Sequence, residues 1–184
     1  MEIVDLARRR DLIGEVARIL LEGFRNRWPR AWPDLASATA EVEESLSDDR
    51  ISLVAVESDV AAGWIGAVQT YDHAWELHPL VVAEDFQGRG VGRTLVGALE
   101  DRIADAGGAT IYLGTDDQDG STTVSGIDLY PDPLTHLSRV EGDHPFAFYR
   151  RLGYALVGII PDANAPGQPD ILMAKRIVPG NPIS

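Results

Sequence analysis

The chain has 184 residues, with 29 acidic and 16 basic side chains, so its formal net charge is −13. Because it has no cysteine, disulfide scaffolds, cysteine-ligated zinc, iron–sulfur clusters and a cysteine nucleophile are excluded. The acidic balance argues against general nucleic-acid binding, which needs Lys and Arg to displace counterions from phosphates. The same balance permits a cationic ligand.

The start of the chain predicts neither export nor membrane insertion. Its first residues lack the charged stretch followed by an apolar one that a secretory signal requires. Apolar runs are far shorter than the roughly 18 residues of a membrane span. We therefore expect a cytoplasmic protein without a membrane partner, forming one domain over residues 1–184, with 179–184 as a tail.

Hydrophobic periodicity predicts the elements of the first half. A short strand at Val4 precedes apolar residues at helical spacing from Leu12 to Phe24. Trp28-Pro29 ends this helix, because the residue before proline avoids the helical conformation. We expect a second helix over 37–46 and strands over 51–57, 62–70 and 75–82.

The strand at 75–82 leads into a glycine-rich turn. Period two places Glu76, His78, Leu80 and Val82 on one face and Trp75, Leu77 and Val81 on the other. The turn QGRGVG at 87–92 precedes a helix with Val91, Leu95, Leu99 and Ile103 on one stripe. Such glycines let backbone N–H groups converge, and the helix N-terminus adds positive potential, which suits a pyrophosphate. A tight turn without a ligand has the same pattern.

The second half combines short elements with a long acidic loop. Gly107-Gly108 ends the helix, and a buried strand is expected over 109–114. The loop over 115–143 is of the length that is usually functional or mobile. We expect a short helix over 144–152, strands over 154–160 and 171–175, and a turn at Asp162-Ala163-Asn164. This order of elements predicts a mixed α/β sheet flanked by helices.

Two motifs together resemble a known superfamily. LHPLVV at 77–82, followed by Gln87-x-x-Gly90-x-Gly92, resembles the acetyl-CoA signature of the GNAT superfamily of N-acetyltransferases. FYRRLGY at 148–154 resembles its later helix-to-strand motif. The segments WELHPLVV, IYLGTDD, DLY, HPF, IPDAN and PDI, starting at 75, 111, 128, 144, 160 and 169, resemble aminoglycoside 6′-N-acetyltransferases. They span about 75–177, and the first 70 residues match more loosely.

The resemblance implies a GNAT fold and direct acetyl transfer to an aminoglycoside. That fold has a mostly antiparallel central sheet that splays at the acetyl-CoA site. Two departures leave the choice of aminoglycoside open. Ala165-Pro166 replace a common glycine, and Gln168 replaces a common basic residue before Pro-Asp.

The reaction requires a base, a donor to the thioester oxygen and an acid. Glu76 is the expected base, directly or through water, and His78 would relay a proton or order that water. The resemblance places the donor on a backbone N–H near Leu80 and makes Tyr149 the acid toward the thiolate. The alternative for Glu76 is a surface carboxylate without a catalytic role. The alternative for His78 is a hydrogen-bonded, partly buried histidine, and that for Tyr149 is a core tyrosine.

Coenzyme A, supplied as acetyl-CoA, is the expected cosubstrate, and no metal is required. The residues that we expect to bind coenzyme A are Leu80, Val81, Val82, Gln87, Gly88, Arg89, Gly90, Val91, Gly92, Arg93, Phe148 and Tyr149.

A cationic aminoglycoside needs carboxylates for its ammonium groups. The expected substrate residues are Trp28, Tyr71, Glu76, Asp116, Asp117 and Asp170. The alternative for each aspartate is a solvated acidic loop, and clustered carboxylates are also typical of a divalent metal site. A homodimer is expected. Two other functions remain open: a housekeeping N-acetyltransferase for polyamine, peptide or lysine amines, and a binding module that keeps acetyl-CoA affinity without turnover.

Overall fold

The computed structural model describes residues 1–26 and 28–178, and its mixed α/β composition confirms the predicted fold class. It forms two compact units: Met1–Ile111 with the segment from Ile177, and Tyr112–Arg176. Within the described residues, no helix is both long enough and apolar enough to cross a bilayer. The tail predicted at 179–184 lies outside the described residues.

The first unit is built on antiparallel strands in the order β1-β2-β3-β4. Three helices accompany them, with single 3-10 turns at Leu6–Arg8, Arg10–Leu12 and Glu84–Phe86. The elements are β1 Glu2–Asp5, α1 Ile13–Phe24, α2 Leu35–Glu44, β2 Arg50–Glu57, β3 Val60–Tyr71, β4 Ala74–Val82 and α3 Val91–Asp105.

Helix α2 begins two residues before the predicted position, and a capping box explains the difference. The Asp34 carboxylate accepts a hydrogen bond from the Ser37 backbone N–H at 2.8 Å. In return, the Ser37 hydroxyl accepts from the Asp34 N–H at 3.3 Å. These bonds satisfy donors that a helix start leaves unpaired, so the helix starts at Leu35.

The helices bury the apolar stripes that periodicity predicts. Helix α1 packs against α2, β3 and β4. It approaches β4 closely at Gly23, where a Cβ would lie 2.4 Å from Val81 Cγ2. Helix α3 packs against β2, β3 and β4. Its predicted stripe of Val91, Leu95, Leu99 and Ile103 is buried.

A β-bulge interrupts the pairing of β3 with β4. Ile65 pairs with Leu80 and Ala67 with Leu77, so Gly66 faces two residues, His78 and Pro79. A Cβ at Gly66 would lie 2.6 Å from the His78 carbonyl oxygen, which makes glycine necessary at this approach. Proline has no backbone N–H and is tolerated at bulges for that reason. The bulge therefore lies inside the LHPLVV motif at 77–82, which resembles part of the acetyl-CoA signature.

The second unit has the strand order β5-β7-β6. Its elements are β5 Thr110–Asp116, whose first two residues belong to the first unit, α4 Pro133–Ser138, α5 Phe146–Arg151, β6 Ala155–Ala165 and β7 Gln168–Arg176. Strands β6 and β7 form an antiparallel hairpin in which Ala165 pairs with Gln168.

The turn predicted at Asp162-Ala163-Asn164 is wrong. These residues lie within β6, and Pro166 and Gly167 connect the two strands. Proline, aspartate and asparagine are typical of turns, and this composition led to the wrong prediction. In the structure Asp162 has a positive φ of 53° at an irregularity in the β6–β7 register, but the strand continues through it. Its carboxylate accepts a hydrogen bond from the Gly167 N–H at 2.6 Å, so it stabilises the true turn from outside.

The long acidic segment is a packed part of the second unit. It contains α4, and Val124, Leu129, Leu137 and Val140 are buried. A bridge between Thr122 and Gly142 brings its two ends together. The Gly126 N–H donates to the Gly167 carbonyl at 2.9 Å, which ties the segment to the β6–β7 turn.

Candidate active site

The predicted base and its neighbouring histidine lie on the more exposed face of β4. Burial alternates along this strand, with Trp75, Leu77 and Val81 buried. Glu76 is half-buried and His78 is exposed. The period-two prediction for this strand is therefore confirmed, and both side chains share one face.

Aromatic rings form a wall next to His78 in the first unit. The Trp32 ring is buried, and its centroid lies 5.8 Å from that of His78. Phe24 contacts Trp32 edge-on at 4.7 Å and Trp28 at 5.4 Å. Trp28, a predicted substrate residue, thus belongs to this wall. Tyr71, the other predicted stacking residue, ends β3 and is 70% exposed.

The glycine turn before α3 has the geometry of an anion cradle. Gly88 and Gly90 have φ values of 71° and 85°, and a Cβ on either would meet nothing within 4 Å. Gly90 is the N-cap of α3 and offers no side-chain acceptor. A helix leaves the N–H groups of its first turn without intrahelical acceptors, so Val91, Gly92 and Arg93 present donors at this end. The residues present fit a phosphate group.

Two side chains of this turn already have partners. The Gln87 amide donates to the Val82 carbonyl at 3.1 Å, which fastens the turn to the end of β4. Arg89 forms an ion pair with Glu57, and its guanidinium lies 5.0 Å from the centre of the Phe86 ring. The sequence predicted Arg89 but not Glu57, because a separation of 32 residues leaves no local signal.

Tyr149, the predicted acid, lies on α5 in the second unit and is 7% exposed. Its ring contacts those of Phe148 and Tyr154, with centroids 5.1 and 5.6 Å away. Burial raises the pKa of the Tyr149 phenol well above its ordinary value, because it disfavours the charged phenolate. A phenol of ordinary pKa is already protonated at neutral pH, so this rise leaves the hydroxyl neutral and makes it a weaker acid.

Asp116 and Asp170 occupy neighbouring strands of the second unit. The Asp116 carboxylate accepts a hydrogen bond from the Asn164 amide at 2.6 Å. Asp170 lies over β5, where a Cβ at Gly114 would be 2.3 Å from Asp170 Oδ2. Both aspartates are half-buried. Within the described ranges, no three His, Asp or Glu side chains gather so as to hold a metal ion.

Asp117 differs from Asp116 in its surroundings. It is 0% exposed, and its carboxylate accepts hydrogen bonds from both the backbone and the hydroxyl of Ser121 and of Thr122. These bonds organise the start of the acidic segment. Its substrate-binding role stays a prediction, and the bonds it makes are those of a structural carboxylate.

Comparison with known proteins assigns these features to a family. Residues 13–123 match the model of the Acetyltransferase (GNAT) family. The chain belongs to this family. No curated protein matches the chain.

Solved structures of GNAT acetyltransferases match nearly the whole chain. An aminoglycoside 6′-N-acetyltransferase complexed with coenzyme A is 40% identical, with a TM-score of 0.90 over 98% of this chain and 99% of that one. The aminoglycoside 6′-N-acetyltransferase from Enterococcus faecium is 38% identical, with a TM-score of 0.88 over the same shares. An aminoglycoside 6′-acetyltransferase type Ii is 37% identical, with a TM-score of 0.77 over 98% and 100% of the two chains.

These matches confirm the predicted GNAT fold and acetyl-CoA-dependent N-acetyltransferase class. The roles given to individual residues stay predictions. Three contacts of the predicted site residues were not predicted: Trp32 with His78, Glu57 with Arg89 and Asn164 with Asp116. The two residues of each contact lie at least 32 residues apart in sequence, so only the fold brings them close.

Proposed function

We propose that this GNAT protein transfers the acetyl group of acetyl-CoA to an amine of an aminoglycoside, with the 6′-amine as the expected acceptor. The observation that carries the proposal is the 40% identity, over 98% of the chain, to an aminoglycoside 6′-N-acetyltransferase. Such a match extends beyond the coenzyme motif into the strands that bear Asp116 and Asp170.

The first unit supplies the coenzyme site in this proposal. The N–H groups over 88–93 hold the diphosphate, since those of the first turn of α3 lack intrahelical acceptors, whereas the Gln87 N–H already donates to the Glu84 carbonyl. Backbone groups of Leu80, Val81 and Val82 pair with the pantetheine amides as an added strand would. Arg93 adds positive charge. In the second unit, Phe148 packs against the pantetheine arm.

Bound acetyl-CoA supplies an acetyl thioester, and the chain moves the protons. Glu76 accepts a proton from the substrate ammonium, because only the neutral amine is nucleophilic. As the C–N bond forms, the Leu80 N–H donates to the thioester oxygen. Tyr149 donates its proton to the departing thiolate as the C–S bond breaks, and the second proton released by the new amide nitrogen restores the phenol. Trp32 limits the orientations open to the His78 ring, which orders water for Glu76.

Asp116 and Asp170 bind the remaining ammonium groups of the substrate. Carboxylate–ammonium hydrogen bonds are charge-assisted and strong, and a net charge of −13 attracts a polycation from a distance. Trp28 and Tyr71 provide apolar surfaces for sugar rings.

The decisive experiment is a thiol-release assay with acetyl-CoA and a panel of amines. We expect kcat/KM for aminoglycosides with a free 6′-amine to exceed that for spermidine or a lysine peptide by at least about 10². Aminoglycosides that lack the 6′-amine serve as the matched control and should react poorly. Preference for spermidine or peptide would instead support the housekeeping function, and absence of turnover would support a binding module.

We further propose that residues 1–184 act as a single catalytic domain in the cytoplasm and form a homodimer. The domain follows from relatives that align over 98% of the chain, and the location follows from an intracellular cosubstrate. Strand β6 lies at the end of the β5-β7-β6 order, with Val157 and Ile160 at 56% and 47% exposure. Exposed apolar strand edges favour pairing with another chain, and light scattering on the purified protein measures the mass.

A further inference from the structure

A buried histidine outside the predicted site joins two elements of the second unit. His144 precedes α5 and is 4% exposed. Its Nε2 atom lies 3.0 Å from the Asp116 carbonyl oxygen, at the end of β5. Its Nδ1 atom lies 3.4 Å from the Phe146 backbone nitrogen, in the first turn of α5. One imidazole therefore links the strand that ends in Asp116 to the helix that carries Tyr149.

These partners determine the protonation of the ring. A backbone N–H can only donate, so Nδ1 accepts from Phe146 and carries no proton. A carbonyl oxygen can only accept, so Nε2 carries the proton and donates to Asp116. The two contacts of His144 fit the Nε2–H tautomer of its ring. A second proton on Nδ1 would place two donors against each other.

Helix α5 is also restrained locally at its start, where the N–H groups of Ala147 and Phe148 donate to the carbonyls of His144 and Pro145 and the Phe146 side chain is buried. It comprises six residues, Phe146–Arg151, and its N-cap Pro145 makes no side-chain hydrogen bond to it. Helices this short are not stable by themselves and depend on tertiary contacts. The bond from Phe146 to His144 satisfies one donor of the first turn, and the bond from His144 to Asp116 fixes that turn relative to β5.

We propose that His144 is a positioning residue that holds Tyr149 in its catalytic orientation by linking the start of α5 to the end of β5. The proposal rests on the proposed function, in which Tyr149 is the acid. It assigns to His144 no contact with the substrate or the coenzyme. It predicts that the effect of His144 on turnover passes through the Tyr149 hydroxyl.

A double-mutant cycle tests this dependence. His144→Asn keeps an acceptor near the Nδ1 position but cannot reach Asp116. We expect its kcat to fall about tenfold or more, because small misplacements of catalytic groups are costly, while both KM values change less than twofold. In the Tyr149→Phe background the same substitution should cause no further loss of kcat. His136→Asn, on α4, is the matched control and should leave kcat unchanged.

Nuclear magnetic resonance of ¹⁵N-histidine-labelled protein provides a readout independent of turnover. The chain has four histidines, and single substitutions of His73, His78 and His136 identify the His144 signals as those that persist in all three spectra. We expect shifts typical of the Nε2–H tautomer in the wild-type protein. Because this measurement uses the wild-type chain, it remains informative if a variant fails to fold.

Distinct results separate failure of this inference from failure of the proposed function. Losses that add in the double variant, or an Nδ1–H or doubly protonated ring, would overturn the positioning role alone. An unchanged kcat in Tyr149→Phe would overturn the acid role, and the inference with it. A substrate panel that favours spermidine or peptide would change the proposed substrate but leave the link between His144 and Tyr149 in place.

Discussion

Tyr149 combines a buried ring with a hydroxyl that we propose gives up a proton during turnover. Its burial raises the pKa of the phenol, which favours the neutral form and weakens the hydroxyl as an acid. Replacing it with phenylalanine removes only the hydroxyl, so packing against Phe148 and Tyr154 is retained. The same substitution therefore separates chemistry from stability.

We expect Tyr149→Phe to lower kcat by about 10²-fold with little change in either KM, since general-acid catalysis typically contributes 10²–10⁴. Steady-state thiol-release kinetics measure this. The matched control is Tyr130→Phe, because Tyr130 is 68% exposed. An undiminished kcat would remove Tyr149 from the reaction.

Tyr149 also predicts a stability loss in alkaline solution. Its folded-state pKa lies above the ordinary value of 10.0, so the unfolded chain ionises first. The neutral phenol therefore contributes fully to stability below about pH 10, and this contribution declines as pH rises further. Wild-type Tm should fall more than that of Tyr149→Phe between pH 8 and pH 10.5, by calorimetry. Parallel declines would contradict this.

Glu76 is predicted to act on the amine and not on the coenzyme. Glu76→Gln keeps the size of the side chain but removes its basicity. We expect kcat to fall by at least about 10²-fold, while coenzyme A affinity by calorimetric titration stays within twofold. Glu22→Gln, an exposed position on α1, is the control. Wild-type turnover in the Glu76 variant would exclude the base role.

Neighbouring aspartates show where residue-level prediction from sequence stops. Asp116 and Asp117 are adjacent and chemically identical, and the sequence assigned both to the substrate. In the structure Asp117 is fully buried among Ser121 and Thr122 donors, whereas Asp116 meets Asn164. The partners of Asp116 lie far along the chain, so local pattern could not separate the two.

At the level of elements, strands β3 and β5 show how the close packing of a neighbouring strand depends on glycine. Gly66 and Gly114 each face a polar group that a Cβ would strike: the His78 carbonyl and the Asp170 carboxylate. Gly66 thus allows the β-bulge between β3 and β4, and Gly114 allows the Asp170 carboxylate to lie against β5. Both requirements involve close approach and not unusual backbone angles.

Gly114→Ala should displace the Asp170 carboxylate, since the added Cβ would be 2.3 Å from Oδ2. We expect KM for an aminoglycoside to rise about tenfold or more, as one charge-assisted hydrogen bond is lost, with KM for acetyl-CoA unchanged. Gly97→Ala in α3 is the control, because a Cβ there meets nothing within 4 Å. It should stabilise the protein by about 0.5–1 kcal/mol. An unaltered aminoglycoside KM in Gly114→Ala would contradict the role of Asp170.

Element boundaries were predictable where one short-range pattern controls them. The stripes of α1 and α3 and the alternation of β4 follow from burial of one face, and these predictions are confirmed. The hairpin turn was predicted at the wrong residues because proline, aspartate and asparagine are typical of turns, whereas Asp162 adopts its positive φ inside β6. The packing of the acidic segment was not predicted, because the buried side chains that hold it in place are scattered along it without a helical or strand period.

For the molecule as a whole, the net charge of −13 has a measurable consequence. Attraction of a polycation by many carboxylates is weakened by salt, whose Debye length falls from about 10 Å at 0.1 M to about 3 Å at 1 M. KM for an aminoglycoside should therefore rise several-fold between 0.05 and 0.5 M NaCl, by initial-rate kinetics. KM for anionic acetyl-CoA should not rise, and equal increases in both would contradict electrostatic attraction of the substrate.

The hydrogen bonds of Asp117 also bear on which positions of the acidic segment tolerate substitution. They fasten the base of the segment at 118–143 from within, while Ile127, Tyr130 and Leu134 remain on the surface. Insertions and substitutions are best tolerated where exposed chain is anchored at its ends. Substitutions at these three exposed positions should therefore leave the fold intact, whereas substitutions at the buried Val124, Leu129, Leu137 and Val140 should not.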